Sequence, residues 1–241
     1  MLVLWEWTGL VARSDSAWRI LAPGLPALLA AAILTEAGST SYALAVSVVG
    51  ASMAALAMAL RPHRDRQANA PGWAVAGILY AAIVVICPVM LRRDPQAGFA
   101  ALLFLFATVW STDILAYLTG RRIGGPLLWP AVSPKKTWAG ALGGLAGGVV
   151  AGSIVAYASA GTHPVVGGVL ATVLSIAAQG GDLLESSVKR RFGAKDASAL
   201  IPGHGGVMDR VDGLLVAASV AAVIGALRFG AAASARGLLL W

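Results

Sequence analysis

Apolar residues run on along most of the chain without the alternation of a half-buried helix or strand, and polar positions gather into a few short breaks. Runs near twenty residues fit helices that cross a bilayer, whose hydrocarbon core is about 30 Å thick and offers backbone N–H and C=O groups no water. Seven such helices are expected, at about 20–36, 41–60, 73–91, 98–119, 138–160, 164–184 and 213–231. The first is the weakest, because Pro23 and Pro26 interrupt it and each proline removes a helical hydrogen bond. A cleavable signal peptide is not expected, since Glu6, Arg13, Asp15 and Arg19 break up the region where its apolar stretch would lie. No repeat and no water-soluble domain is visible. The pattern predicts an all-α, polytopic integral membrane protein of about seven transmembrane helices, with its charges concentrated in loops.

Composition agrees. Of the 241 residues 58% are hydrophobic and 12% charged, and the mean hydropathy is +0.78, values that a water-soluble domain of this size rarely reaches. The single Cys87 excludes a disulfide within one chain, and His63, His163 and His204 are too scattered for a structural zinc site. The formal net charge is +7. Seven helices place the N-terminal tail and segments 61–72, 120–137 and 185–212 on one side of the membrane. Only Arg92, Arg93, Arg228 and Arg236 fall opposite, leaving fourteen of the 18 basic residues on that side. The positive-inside rule makes it cytoplasmic. This bias accounts for much of the net charge, and no nucleic-acid partner is expected.

Topology does not account for the acids. Asp182, Glu185, Asp196, Asp209 and Asp212 crowd into the same region as the bases, although acidic residues contribute little to orientation. A solvated salt-bridge face is the ordinary reading of such a mixture. Three features favour a site instead. Asp182 follows Gly180 and Gly181 at the end of a hydrophobic run, where an ionised group is costly unless it lines a polar cavity. Gly203, Gly205 and Gly206 surround His204, a backbone able to approach a ligand closely and aim N–H groups at an anion. Lys and Arg also alternate with carboxylates, as holding a metal ion together with several phosphates requires. Phosphoryl and nucleotidyl transfer rest on such positioning and charge neutralisation. Magnesium takes one or two carboxylates plus phosphate oxygens and water. Asp182 and Asp209 are the candidate ligands, and the stretch between them, 27 residues from one to the other and read as loop, would let them converge. Mg²⁺ is the expected cofactor, with a second cation also open.

From Ser186 to Asp212 the chain reads SSVKRRFGAKDASALIPGHGGVMDRVD, which resembles the signature of the phosphatidate cytidylyltransferase (CDP-diglyceride synthase) family at every constrained position. QGGDLLES at Gln179–Ser186, DILAYLTGRRIG at Asp113–Gly124 and SPKKT at Ser133–Thr137 are also similar to the family. The resemblance covers about the C-terminal half, so 98–241 is read as the catalytic membrane region with two cytoplasmic catalytic loops, and 1–97 as N-terminal membrane helices. It implies an enzyme that joins CTP and phosphatidic acid to give CDP-diacylglycerol and pyrophosphate, working in the bilayer of a bacterial inner membrane. On that reading Lys189, Arg190, Lys195 and Arg210 either neutralise phosphates or serve as structural partners of Asp196 and Asp212. His204, Gly205 and Gly206 form a binding turn. Lys135 and Lys136 clamp the triphosphate or the lipid phosphate. Ser133, Thr137 and Ser186 serve either as site hydroxyls or as helix caps. Asp113, four residues before Tyr117, is open between a site role and a hydrogen-bonded pair.

Two departures stand out. Where the family continues SPKKT with a residue, Glu and Gly, this chain has Trp138, Ala139 and Gly140. LWEW at Leu4–Trp7 resembles a Glu-Trp pair that the family carries after an apolar N-terminal region, which points to a start assigned too late or to lost helices, and with the latter to support from a second copy of the chain. The tryptophans are expected to form an interfacial belt, and the glycines between Gly140 and Gly148 to permit close helix packing. A related enzyme for another lipid phosphate, such as an isoprenoid ether lipid, is the alternative within the chemistry. A cation-coupled transporter is the alternative outside it, although its ionisable groups should lie near mid-membrane rather than in two loops.

Overall fold

The computed structural model describes residues 1–12, 15–60, 69–203 and 205–241. Arg13, Arg61, His63, Arg64, Arg66 and His204 therefore lie outside the described residues. In chain order the elements are α1 (Leu2–Val11), α2 (Trp18–Glu36), α3 (Thr40–Ala59), α4 (Ala70–Arg92), α5 (Gly98–Ile123), β1 (Leu127–Trp129), β2 (Ser133–Thr137), α6 (Trp138–Ala160), α7 (Pro164–Arg191), α8 (Met208–Phe229) and α9 (Ser234–Leu239). Among the described residues, α2 to α8 are seven helices long and apolar enough to cross a bilayer. The protein is an all-α polytopic membrane protein.

The helices differ from the hydropathy runs at two ends that matter. α7 continues through Glu185 and the basic Lys189–Arg191 to a length of 28 residues, about 42 Å at 1.5 Å per residue. An apolar run stops at the first charges, but a helical backbone does not. α8 starts five residues earlier than its apolar run, at Met208. The stretch between Asp182 and Asp209 is therefore helix as far as Arg191, and only 192–207 forms the connection. The expected loop 120–137 is also structured: α5 runs to Ile123, two glycines with positive φ (Gly124 at 66° and Gly125 at 91°) end it, and an antiparallel hairpin follows. Pro126, Pro130 and Pro134 bound or interrupt these short strands, and proline is depleted in strands, so local pattern alone does not reveal them.

The chain divides into two compact units, Met1–Val89 with Lys189–Val211, and Met90–Val188 with Asp212–Trp241. In the second unit, α5 and α6 pack through small residues. On α6, Gly140, Gly144, Gly148 and Gly152 recur every fourth position and meet Ala116, Thr112 and Thr108 of α5. A Cβ on Gly148 would lie 2.2 Å from Thr112 Oγ1, and one on Gly144 would lie 2.6 Å from the Thr112 carbonyl. Close backbone approach of this kind drives helix association where lipid tails are as apolar as the side chains. The packing role expected of these glycines holds. Thr112 Oγ1 is 2.8 Å from Ser175 Oγ on α7, and Gln179 Nε2 donates to the Ala141 carbonyl of α6 at 3.4 Å. Gly181 and Gly213 bring α7 against α8: a Cβ on Gly181 would meet Val216 Cγ2 at 2.8 Å, and one on Gly213 would meet the Ala178 carbonyl at 2.9 Å. Away from this bundle, the buried Asp94 accepts the Arg236 N–H at 3.0 Å and Nε at 3.2 Å, and the Gln96 N–H at 3.1 Å. Burial raises its pKa, but these bonds outweigh it and hold the carboxyl below its ordinary value.

In the first unit, α2 and α3 pack where Gly50 faces Ala27 and the Pro23 carbonyl, and α2 is one continuous helix despite Pro23 and Pro26. Trp7 of α1 is 5% exposed. Its indole stacks on Tyr80 at 5.5 Å, tilts against Trp73 at 6.1 Å and donates Nε1–H to the Trp73 carbonyl at 3.0 Å. A Cβ on Gly77 would lie 2.3 Å from that ring. Trp7 is thus a core residue rather than part of an interfacial belt; Trp18 and Trp138 are exposed at the starts of α2 and α6 and Trp129 at the end of β1, whereas Trp110 is exposed at the middle of α5, where a belt does not lie.

Candidate active site

In the second unit a cavity of about 670 Å³ opens among α5, the hairpin, α6 and α7. α5 contributes Asp113, Tyr117 and Arg121, the hairpin Leu128, Ser133, Lys135, Lys136 and Thr137, and α7 Gln179 and Asp182. Ser175, Gln179, Asp182 and Ser186 fall at intervals of four, three and four residues, so one face of α7 carries them all. Lys136 forms an ion pair with Asp182. Both side chains keep contact with solvent, at 30% and 39% exposure, so a charged ligand can compete for either. Ser186 Oγ lies 3.4 Å from the other oxygen of Asp182. Thr137 accepts the Gly140 N–H at 3.1 Å and caps α6, fixing the strand that carries the lysines. Tyr117 does not pair with Asp113 but receives Arg121 at 2.7 Å.

In the first unit the signature segment closes on itself. Asp209 stands in the first turn of α8, where the helix dipole favours negative charge. One of its oxygens pairs with Lys189, and the other accepts the Gly206 N–H at 2.7 Å and the Ala197 N–H at 2.8 Å. This pair is nearly enclosed, with side chains 10% and 9% exposed. Gly203 and Gly205 have φ of 76° and 79°, and Ile201 N–H bonds back to the Gly205 carbonyl at 2.9 Å. A Cβ on Gly205 would lie 2.8 Å from Asp209 Oδ2, and one on Gly206 would lie 2.5 Å from Glu6 Oε1. The glycines are therefore required by the carboxylates packed against them.

Sequence reasoning passed over Arg121 and Gln179 of the cavity, and in the first unit it passed over Glu6. Glu6 is 1% exposed and accepts three bonds from the signature: Ser198 Oγ at 2.7 Å, Val207 N–H at 2.8 Å and Met208 N–H at 2.6 Å. Its only signal in the chain was the Glu-Trp pair. Other candidates are more peripheral. Arg190 donates to the Ala194 carbonyl at 3.2 Å, Lys195, Asp196 and Arg210 are exposed, and Asp212, in the second unit, accepts the Gly213 N–H at 2.7 Å.

No group of three or more His, Cys, Asp or Glu side chains that could hold a metal occurs among the described residues. Magnesium does not need one, because substrate phosphates and water complete its shell. The oxygen donors around Asp182 (Asp113, Ser133 and Gln179) fit such an ion, and no soft ligand competes. Asp209 fits less well, since it is nearly enclosed and two backbone N–H groups hold it besides its lysine.

Membrane-spanning helices that enclose a cavity lined by lysine, arginine and carboxylate define a polytopic membrane protein with a charged pocket between its helices. The chain belongs to the Cytidylyltransferase family, whose model matches residues 1–227. It is 53% identical over 156 residues to the phosphatidate cytidylyltransferase of Brucella abortus biovar 1 (strain 9-941), a match that covers 65% of this chain and 58% of that protein. The phosphatidate cytidylyltransferase of Haemophilus influenzae is 43% identical over 130 residues, covering 52% of this chain and 45% of the relative. That of Mycobacterium leprae is 42% identical over 127 residues, covering 53% and 41%.

Proposed function

We propose that the chain transfers the cytidylyl group of CTP to phosphatidic acid, releasing CDP-diacylglycerol and pyrophosphate. The observation that carries this reading is the cavity among α5, α6 and α7, which Lys135, Lys136 and Arg121 line together with Asp113 and Asp182 of two membrane-spanning helices. A lipid phosphate reaches such a place while its tails stay in the bilayer. An oxygen of the lipid phosphate attacks the α-phosphorus of CTP, the bond from that phosphorus to the bridging oxygen of the β-phosphate breaks, and pyrophosphate leaves with the electron pair. No side chain has to accept a proton, because a phosphate monoester has a second pKa of about 6 and is largely dianionic at neutral pH. Lys135, Lys136 and Arg121 neutralise phosphate charge, and Ser133 offers a hydroxyl donor. A bound magnesium ion would supply Lewis-acid neutralisation of the phosphates, with Asp182 as its first carboxylate. The basic bias of the loops supports a cytoplasmic site in a bacterial inner membrane, where CTP is available.

Purified full-length chain in liposomes, given labelled CTP, magnesium and a panel of lipid phosphates, tests this. Transfer of label to phosphatidic acid is expected. Transfer only to an isoprenoid ether lipid phosphate would move the substrate, and no transfer to any lipid would overturn the proposal.

A further inference from the structure

We infer that Glu6 is a positioning residue for the signature turn. Its buried carboxylate presets the chain from Ser198 to Met208 and so holds Asp209, and through it Lys189, before any substrate arrives. The effect on turnover rests on the function proposed above, whereas the effect on the turn does not.

The N-terminus of α8 and the turn before it carry backbone N–H groups that would otherwise seek an anion. Two internal carboxylates take them. Glu6 receives Val207 and Met208, and Asp209 receives Gly206 and Ala197. Those N–H groups, which the glycines were expected to aim at a ligand, are directed inward instead. The third bond to Glu6, from Ser198, anchors the start of the same turn. Glu6 is in turn placed by its neighbour: Trp7 is wedged against Gly77, Trp73 and Tyr80 of α4, and Trp73 meets Phe192, just past the end of α7, edge-on at 5.0 Å. Adjacent residues of α1 thus grip the signature segment near both of its ends.

A carboxylate suits this place better than an amide. Glu6 offers acceptors only, and every group facing it in these bonds is a donor. In Glu6→Gln one oxygen becomes an NH₂ that confronts an N–H. The experiment compares wild type, Glu6→Gln and Glu6→Asp, full-length in nanodiscs, by hydrogen exchange and steady-state kinetics. Amides of 198–209 are expected to exchange about tenfold faster in Glu6→Gln, because bonds to a charged acceptor are the strong ones, while those of α3 keep their rates. Turnover should fall about tenfold with KM for CTP changed less than about threefold, the pattern of disturbed positioning rather than of a lost binding contact. Glu6→Asp keeps the charge but withdraws it by one methylene, and is expected to show the same pattern more weakly; it carries the test if Glu6→Gln does not fold. Unchanged exchange across 198–209 in a folded variant overturns the inference. So does faster exchange with kcat still at the wild-type level. A wild-type chain that transfers no label overturns the proposed function alone, and the exchange rates still decide the role of Glu6.

Discussion

The protein contains two lysine–aspartate pairs that look alike in the sequence and differ in their surroundings. Lys136 and Asp182 meet at an open cavity, about a third exposed on each side, with no backbone group among the bonds described for the carboxylate. Lys189 and Asp209 are about nine-tenths enclosed, and two N–H groups also hold the carboxylate. An ion pair that keeps its water contributes little to stability and can exchange partners. An enclosed pair contributes through what breaks when one member is removed. On the function proposed above, the first pair handles substrate, and the second maintains the signature turn.

The largest expected effect tests the enclosed pair. Lys189→Met leaves the Asp209 carboxylate without its cation, and loss of one partner from a buried pair costs about 3–5 kcal/mol. Thermal unfolding of the detergent-solubilised variant should show it, and a midpoint equal to that of wild type would break the distinction. Asp182→Asn comes next. It should lower turnover by about 10²–10³-fold, the loss typical of one electrostatic stabiliser of a transition state, with unfolding nearly unchanged. Its magnesium requirement should also rise. If Asp209→Asn, and not Asp182→Asn, shows the raised requirement, the two roles are reversed. The smallest effect is expected for Lys136→Met. Stability should change by less than about 1 kcal/mol, and KM for CTP should rise more than kcat falls, since the lysine binds phosphate in the ground state as well. A collapse of stability in this variant would show that the open pair is a structural one.

Much of the architecture was legible in the chain. The α6 boundaries and the start of α5 match the hydropathy runs, because crossing a bilayer is a local demand met within each segment. The signature reads as phosphate-handling chemistry from residue type and spacing, and the lysines of SPKKT join that reading through the family resemblance. The α7 extension was not legible, since charges end an apolar run without ending a helix, and neither was the hairpin, whose strands are short and proline-bounded.

What the sequence determined by itself was the membrane class, the seven helices and the family, all written in contiguous residues. The tertiary structure alone decided which partner each charge takes. Lys189 meets Asp209, twenty residues on, and Glu6 reaches Ser198, Val207 and Met208 across 192 to 202 residues of chain. No local pattern encodes such bonds, because a buried carboxylate is stable only where packing has already gathered enough donors around it.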